Sequence, residues 1–438
     1  MKLGDSGIFL QQKTQNDPKK FHGKYDAWKA VNAASMKFFR VISCFSLFKK
    51  NSSVTSFTDV LLSNASVRFF SGYITREMDH MQERQAVQHW QALGKCLVIG
   101  GGGFLGRQLV RQLCTGGAQV KVLGRNHYPD LVSMGVECLQ GDVTNLAEVF
   151  AACQGMDTVF HTASLSYMWG RRELLYQVNV EGTANVIKAC RETNVARLIY
   201  TSSPSVVIGE NNIVNGDESL PYPQQYNADY PRSKSIAEQL ILKANARPAN
   251  PDAANAGKLL SCAIRPHLIW GPDDPHILPR IRKAAARGRL RQIGDGRNQI
   301  TITQVENAAY AHLLAALELS GQARCAGKAY FVGDEEPIYL WPWLNEVLSI
   351  WGLPQIKKRV PWGVTRFMAL MSEGLHYFFP WLGEPFMTTF IVDQMVRSHS
   401  FSHQAAERDF GYHPIVSPQE GLQQLAGRSS FLTTKYTK

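Results

Sequence analysis

A chain of 438 residues, 45% of them hydrophobic, is long enough for a large α/β domain with appendages and can bury a real core. The formal charge of +11 raises a nucleic-acid or membrane partner, but lysine and arginine are scattered without aromatic interleaving, which argues against nucleic acid. Eight cysteines never occur as CxxC, and no apolar run is long enough to span a bilayer. A reduced, cytoplasmic protein with no disulfide frame, no metal site and no transmembrane helix is therefore expected.

Residues 1 to 93 differ from the rest. They hold thirteen Lys/Arg against seven Asp/Glu, and their hydrophobic periodicity is poor. A disordered extension or an over-extended gene start is expected, since Met78 and Met81 lie just before the first clear strand. A targeting segment is a third reading, and Asp5, Asp17 and Asp26 count against it.

The stretch Cys96 to Gly106 organises the rest of the chain. An apolar run reads as a buried parallel strand, four glycines come next, and Arg107 to Leu113 has helical spacing. Strand, glycine turn and helix form the first half of a dinucleotide-binding βαβ unit. Gly100 permits the sharp turn, Gly103 lets a pyrophosphate approach the backbone, and Gly106 lets the helix pack close to the sheet. Phe104 and Leu105 open the helix, whose free N–H groups face the phosphates.

The second strand, Gln119 to Leu123, leads into Gly124-Arg125-Asn126. A site for NAD carries an acidic residue here; Gly124 leaves no carboxylate to repel a 2′-phosphate, and Arg125 can pair with one. NADP(H) is therefore preferred, with NAD(H) as the alternative. The third strand, Val136 to Gln140, ends in Gly141-Asp142-Val143. Asp142 either accepts from the adenine amino group or caps the following helix. The fourth strand, Thr158 to Ser164, places Thr162 and Ala163 beside the cofactor, and Tyr167 and Trp169 come after it as candidates to line a substrate cleft. His161 reads as a core or cofactor-adjacent residue.

The fifth strand, Arg197 to Ser203, ends in hydroxyls. Further on, Pro231 suits a first helical turn, which puts Tyr230 and Lys234 at i and i+4 on one face. A phenol is a poor acid/base at neutral pH, and a nearby ammonium favours its phenolate. Residues 244 to 258 read as an exposed loop. The sixth strand, Leu259 to Ile264, runs into Arg265-Pro266, where the chain leaves the sheet near the expected nicotinamide site; Pro266 joins the cofactor residues, and His267 and Trp270 the substrate candidates. Residues 363 to 393 are strongly apolar and aromatic. They read either as ordinary cap core or as a greasy lid or interfacial helix offering a peripheral membrane or multi-enzyme contact.

Together these residues resemble the extended short-chain dehydrogenase/reductase superfamily, in its 3β-hydroxysteroid dehydrogenase-like branch. The resemblance rests on Gly100-x-x-Gly103-x-x-Gly106, Gly141-Asp142-Val143, Asn179-Val180-Glu181-Gly182-Thr183, Tyr200 to Val206, Tyr230-x-x-x-Lys234, Arg265-Pro266 and Asp409-Phe410-Gly411-Tyr412, and it covers about 95 to 427. Arg125 to Pro129, Trp169-Gly170, Arg265 to Pro272 and Gly383-Glu384-Pro385 are most similar to the branch's bacterial 2-alkyl-3-oxoalkanoate reductases of olefin biosynthesis. The resemblance implies a Rossmann-type doubly wound parallel sheet at 94–272, an interleaved, smaller C-terminal substrate-binding cap at 273–427, and a tail at 428–438. It implies that Tyr230 is the general acid, that Lys234 lowers its pKa and holds the nicotinamide ribose, and that Ser203 bonds the carbonyl oxygen, with Ser202 as the register alternative. The expected enzyme is an NADP(H)-dependent oxidoreductase, working as a homodimer, that reduces a 2-alkyl-3-oxoalkanoate. A 3β-hydroxysterol dehydrogenase is the alternative and a non-catalytic nucleotide sensor the remote one. Two departures stand out: Ile99 replaces a threonine usual before the first glycine, and Thr162-Ala163-Ser164 replaces a more amide-rich motif.

Overall fold

The structure is a computed structural model that describes residues 90–166, 169–245, 259–385 and 387–433. The readings of residues 1 to 89, Tyr167 and most of the 244–258 loop lie outside the described residues. Seven strands make one parallel sheet: β1 (Lys95–Ile99), β2 (Gln119–Gly124), β3 (Glu137–Gln140), β4 (Thr158–His161), β5 (Arg197–Thr201), β7 (Leu260–Pro266) and β12 (Ala329–Val332). Their order is β12-β7-β5-β4-β1-β2-β3. The chain starts in the middle and winds outward both ways, so the strand order reverses beside β1, where an α/β sheet opens a ligand crevice at its carboxyl edge.

The alternation within β1 explains the two layers. Cys96 and Val98 point into one core and Leu97 and Ile99 into the other. On the first side, Leu109, Val110 and Leu113 of α1 (Phe104–Thr115) meet the alanine-rich helix Val305–Ser320. On the second side lie α2 (Leu146–Cys153), α3 (Gly182–Glu192) and α4 (Asp229–Ala244), through Val149, Val186, Ala237 and Ile241. Trp90 and Leu93, ahead of residue 94, are already buried in the first core. All seven described cysteines are free.

The rest of the chain builds the cap from short pieces. β10 (Gln299–Ile300), β13 (Ile338–Tyr339), β15 (His399–Phe401) and β6 (Ile213–Gly216) form a four-stranded sheet. β8 (Ile269–Trp270) pairs with β11 (Thr303–Gln304), and β9 (Gln292–Ile293) with β14 (Arg359–Val360). The helices α5 (Ile277–Ala286), α7 (Leu340–Ile350), α8 (Trp362–Phe378) and α9 (Pro418–Thr433) complete it, with α6 (Val305–Ser320) between α5 and α7 in the chain. β12 and α6 return to the Rossmann layers, so the two parts are interwoven. Asp334, just beyond β12, ties them: it accepts from Trp270 Nε1 at 2.9 Å, Gln304 N at 2.8 Å and Asn307 Nδ2 at 2.7 Å.

Four imidazoles are held away from water in these layers, three buried and His267 half-buried. Burial lowers His161 and His399 to about 3, and His267 and His312 to about 4, from an ordinary 6.5. As pH falls below 6.5 the unfolded chain takes up protons that the folded chain refuses, so stability is lost between 6.5 and about 4. Asp334, raised by burial to about 6, and Glu218, also raised by burial, work the other way but are two groups against four. The melting temperature is expected to fall by roughly 5 °C or more over that window; calorimetry at stepped pH checks this.

Candidate active site

The glycine turn packs too tightly for side chains. Gly100 sits at φ +84°, and a Cβ there would lie 2.7 Å from the Ala163 nitrogen. A Cβ on Gly106 would lie 2.3 Å from the Gly100 oxygen, so only glycine lets α1 approach the turn. Gly103 is different: its one close neighbour is the Gly100 oxygen at 3.2 Å. Its extended backbone opens α1 with no side-chain cap, which leaves the helix's first N–H groups for a ligand. A dinucleotide's pyrophosphate fits this cradle. Phe104 and Leu105 face the core side of the same turn.

Gly101 and Gly102 also have reasons of their own. A Cβ on Gly101 would strike Val122, and one on Gly102 would strike the Tyr128 ring. Arg107 lies 5.4 Å from that ring's centroid, donates to Gly102 O at 3.0 Å and pairs with Asp130. Tyr128 and Arg107 thus brace the turn, a role invisible in the sequence because it is made across some twenty residues of chain.

At the end of β2, Arg125 is exposed and has no ion pair among the described residues. Asp142 does not cap the next helix. Asn145 does so, accepting from Ala147 N at 3.1 Å, while Asp142 Oδ1 folds its own turn by accepting from Thr144 N at 2.9 Å. That turn leaves half-buried Asp142 at the crevice edge, with Val143 buried against Gly182. Thr162 bonds Ile99 O through both its nitrogen and its hydroxyl, which anchors the loop after β4 where Ile99 itself offers no hydroxyl. Asn179 clasps that loop, exchanging two hydrogen bonds with Leu165 and donating to Ser233 on α4. His161 is a core residue, its Nε2 bonded to Thr183.

The three catalytic candidates converge. Ser203 comes just after β5, and Tyr230 and Lys234 lie one turn apart on α4. Ser203 Oγ accepts from Ser205 N at 3.2 Å and from Ser205 Oγ at 3.0 Å. Both its lone pairs are then used, so its own O–H is free to donate. Ser202 Oγ is buried with no hydrogen-bond partner among the described residues. Burial pushes the Tyr230 phenol above its ordinary value, and contact with the Ser203 hydroxyl pulls it back. Lys234 Nζ donates to Thr201 O at 2.6 Å and lies 4.2 Å from the Tyr200 ring centroid. Burial brings the ammonium down to about 7, and Glu238 opposes that.

Glu238 continues the Tyr230–Lys234 face by one more turn. It is fully buried, takes Arg265 at 2.8 and 2.6 Å, and accepts from Tyr222 at 2.6 Å. Arg265 lies 4.9 Å from the Phe331 ring centroid, next to Pro266 at the end of β7. The i+8 spacing from Tyr230 was the available signal for Glu238; its partner could not be read.

The substrate candidates separate. Trp169 is half-buried on the loop after β4. His267 is half-buried, with Nδ1 at 2.5 Å from Thr301 O and its ring 5.6 Å from Phe401. Trp270 is a correction: it is 1% exposed, spends its N–H on Asp334 and stands edge-on to Trp343 at 5.3 Å, in the core of the cap.

The family model of the 3-beta hydroxysteroid dehydrogenase/isomerase family matches residues 97–361. The chain belongs to that family. It is an oxidoreductase of the class that acts on CH–OH groups. A 2-alkyl-3-oxoalkanoate reductase of Stenotrophomonas maltophilia (strain K279a) is 41% identical over 338 residues, 77% of this chain and 99% of that one. The Shewanella oneidensis protein of the same name is 40% identical, covering 75% and 84%. The Mus musculus sterol-4-alpha-carboxylate 3-dehydrogenase, decarboxylating, is 36% identical, covering 75% and 89%. Among solved structures, gox2253 matches with a TM-score of 0.61 at 25% identity, covering 78% of this chain and 99% of that one. MoeE5 in complex with UDP-glucose and NAD matches at 0.58 and 22%, covering 78% and 100%, which bears on the fold alone.

Replacing Glu238 by Gln leaves Arg265 buried and uncompensated, a loss of about 3–5 kcal/mol in denaturant unfolding. It also removes the charge that favours the Lys234 ammonium, so the alkaline limb of the pH–rate profile is expected to move to lower pH. The Glu238→Leu/Arg265→Met pair recovers stability and keeps the shift. An unmoved limb in both variants would leave Glu238 a purely structural part.

Proposed function

We propose that the chain reduces the 3-oxo group of a 2-alkyl-3-oxoalkanoate with NADPH, giving the 2-alkyl-3-hydroxyalkanoate. The observation that carries this is the meeting of Ser203, Tyr230 and Lys234 at the carboxyl edge of the sheet, beside an open dinucleotide cradle. The relatives at 41% and 40% identity support the substrate class. The dehydrogenase at 36% keeps a sterol 3-dehydrogenase as the second reading.

The site favours reduction for a physical reason. A phenol raised by burial keeps its proton at neutral pH and can deliver it to the carbonyl oxygen. Ser203, its lone pairs held by Ser205, donates to the same oxygen as charge develops on it. Lys234, held at Thr201 O, stabilises the phenolate left behind. A nicotinamide cofactor supplies the hydride to the carbonyl carbon. Gly100, Gly103, Gly106 and the start of α1 hold the pyrophosphate, and Thr162, Ala163 and Pro266 line the path to the nicotinamide. Asp142 and Val143 flank the adenine.

Arg125, exposed beside Gly124 with no carboxylate partner among the described residues, supports NADP over NAD. The substrate is taken between residues 94–272 and the cap of 273–427, with Trp169 and His267 on its wall. The working form is proposed as a cytoplasmic homodimer, a reading supported by the free cysteines for the compartment and by the resemblance alone for the dimer.

Tyr230→Phe should abolish turnover while NADPH binding by fluorescence stays near wild type; full activity in that variant would end the mechanism. A panel of 2-alkyl-3-ketoacids and 3β-hydroxysterols with both cofactors decides the substrate. Arg125→Ala is expected to raise KM for NADPH roughly tenfold or more and to leave that for NADH nearly unchanged. An equal effect on both would remove the argument for NADP.

A further inference from the structure

A substrate with a 3-oxo group and a carboxylate on the next carbon sets a demand that Ser203, Tyr230 and Lys234 do not meet. With the carbonyl oxygen at Ser203 and Tyr230, the carboxylate carbon lies two bonds from the reacting carbon and leaves water with it. A charge taken out of water needs a partner close by. Three cations of the surrounding elements are already committed. Lys234 donates to Thr201 O, and Arg265 is bound twice to Glu238. Arg397 donates to Gly209 O at 3.4 Å and pairs with Asp393 at 3.6 Å.

His267 is placed and held to take that charge. β5 and β7 run side by side with Thr201 opposite Ile264, and Ser202 N donates to Ile264 O at 2.7 Å. Ser203 and His267 therefore leave the carboxyl ends of neighbouring strands, which lie about 4.8 Å apart. Thr303 pins the His267 backbone: its hydroxyl accepts from His267 N at 3.2 Å and lies 3.0 Å from His267 O. The ring is fixed by Nδ1, 2.5 Å from Thr301 O. A carbonyl only accepts, so Nδ1 carries the proton and Nε2 presents a lone pair. Nε2 has no hydrogen-bond partner among the described residues, and the residue is half-buried rather than sealed. Phe401 and His399 stand edge-on to the ring at 5.6 and 6.2 Å. No carboxylate pairs with it or shifts it, and burial holds its titratable neighbour His399 down to about 3. Burial holds His267 itself down to about 4, so the ring is neutral at neutral pH unless an anion stands beside it.

We propose that His267 receives the substrate's carboxylate, and that the anion enters together with one proton, which settles on His267 Nε2. This rests on the 3-oxo acid reading given above. The imidazolium donates through Nδ1 to Thr301 O and through Nε2 to the carboxylate. The proton comes from solvent, so anion and proton together leave the charge of the cleft unchanged. The arrangement selects an acid over its ester, because without the anion a protonated ring would be an unpaired charge away from water. It also orients C2, since the carboxylate is held at the end of β7 while the 3-oxo oxygen is held at the end of β5.

The test gives the full chain, with NADPH, a 2-alkyl-3-oxo acid and the methyl ester of the same acid. Wild type is expected to favour the acid in kcat/KM by roughly tenfold or more. Its KM for the acid should rise about tenfold per pH unit on the alkaline side, while that for the ester stays flat. His267→Phe should bring the acid-to-ester ratio down to about one. His267→Gln, neutral at every pH, should lower the ratio and leave the KM for the acid flat with pH. Where the Phe variant does not fold, the Gln variant carries the comparison. A readout without turnover is titration calorimetry of the 2-alkyl-3-hydroxy acid onto the enzyme–NADPH complex, in buffers of different ionisation enthalpy. Wild type should take up about one proton on binding and His267→Gln none. Equal kcat/KM for acid and ester in wild type, a ratio that neither variant moves, or binding without proton uptake overturns the proposal. Turnover of neither compound, with a 3β-hydroxysterol oxidised instead, fails the substrate reading itself and takes the proposal with it.

Discussion

A carboxylate and a guanidinium removed from water hold the site together. Glu238 on α4 and Arg265 on β7 meet at 2.6 and 2.8 Å with almost no solvent contact. A buried charge is tolerated only when paired, so the two elements are fixed in register by the cost of any other arrangement. Lys234 and Tyr230 lie one and two turns back along the same helix, and Pro266 comes directly after Arg265. The pair therefore sets the phenol, the ammonium and the end of β7 in one stroke. It also supplies the negative charge that keeps a desolvated lysine from losing its proton entirely.

Around that pair, the remaining polar groups are joined by hydrogen bonds between neighbouring elements. Ser205 fills the lone pairs of Ser203 and leaves it a donor. His312 donates through Nδ1 to Ala308 O, so its Nε2 accepts from the Thr201 hydroxyl while Thr201 O receives Lys234. These contacts come from β5, α4 and α6 and are made only when all three pack. The cap contributes differently. Its short strands are joined to the sheet through Asp334, and its apolar surplus is turned outward on α8 rather than folded inward.

Much of this was legible because backbone chemistry leaves local traces. The glycines of 100 to 106, the alternation in β1, and Tyr230 with Lys234 at i+4 each come from geometry within a few residues, and the structure places them as read. Asp142 was half legible: its turn is local, but the capping was taken over by Asn145 three residues on. Trp270 could not be read, since an aromatic residue after a strand looks the same whether it faces a cleft or, as here, donates to Asp334 64 residues away.

The run of strands along the chain, the tight glycine turn and the placing of Tyr230 and Lys234 on one helix face were determined by sequence alone, because periodicity and glycine placement act over one or two turns of chain. The partners of those groups were decided by the tertiary structure: Arg265 for Glu238, Ser205 for the donor role of Ser203, Tyr128 over the glycine turn, and the outward face of α8. Burial and pairing are properties of neighbours distant in sequence, and an apolar stripe carries no mark of which way it will face until the rest of the core is filled.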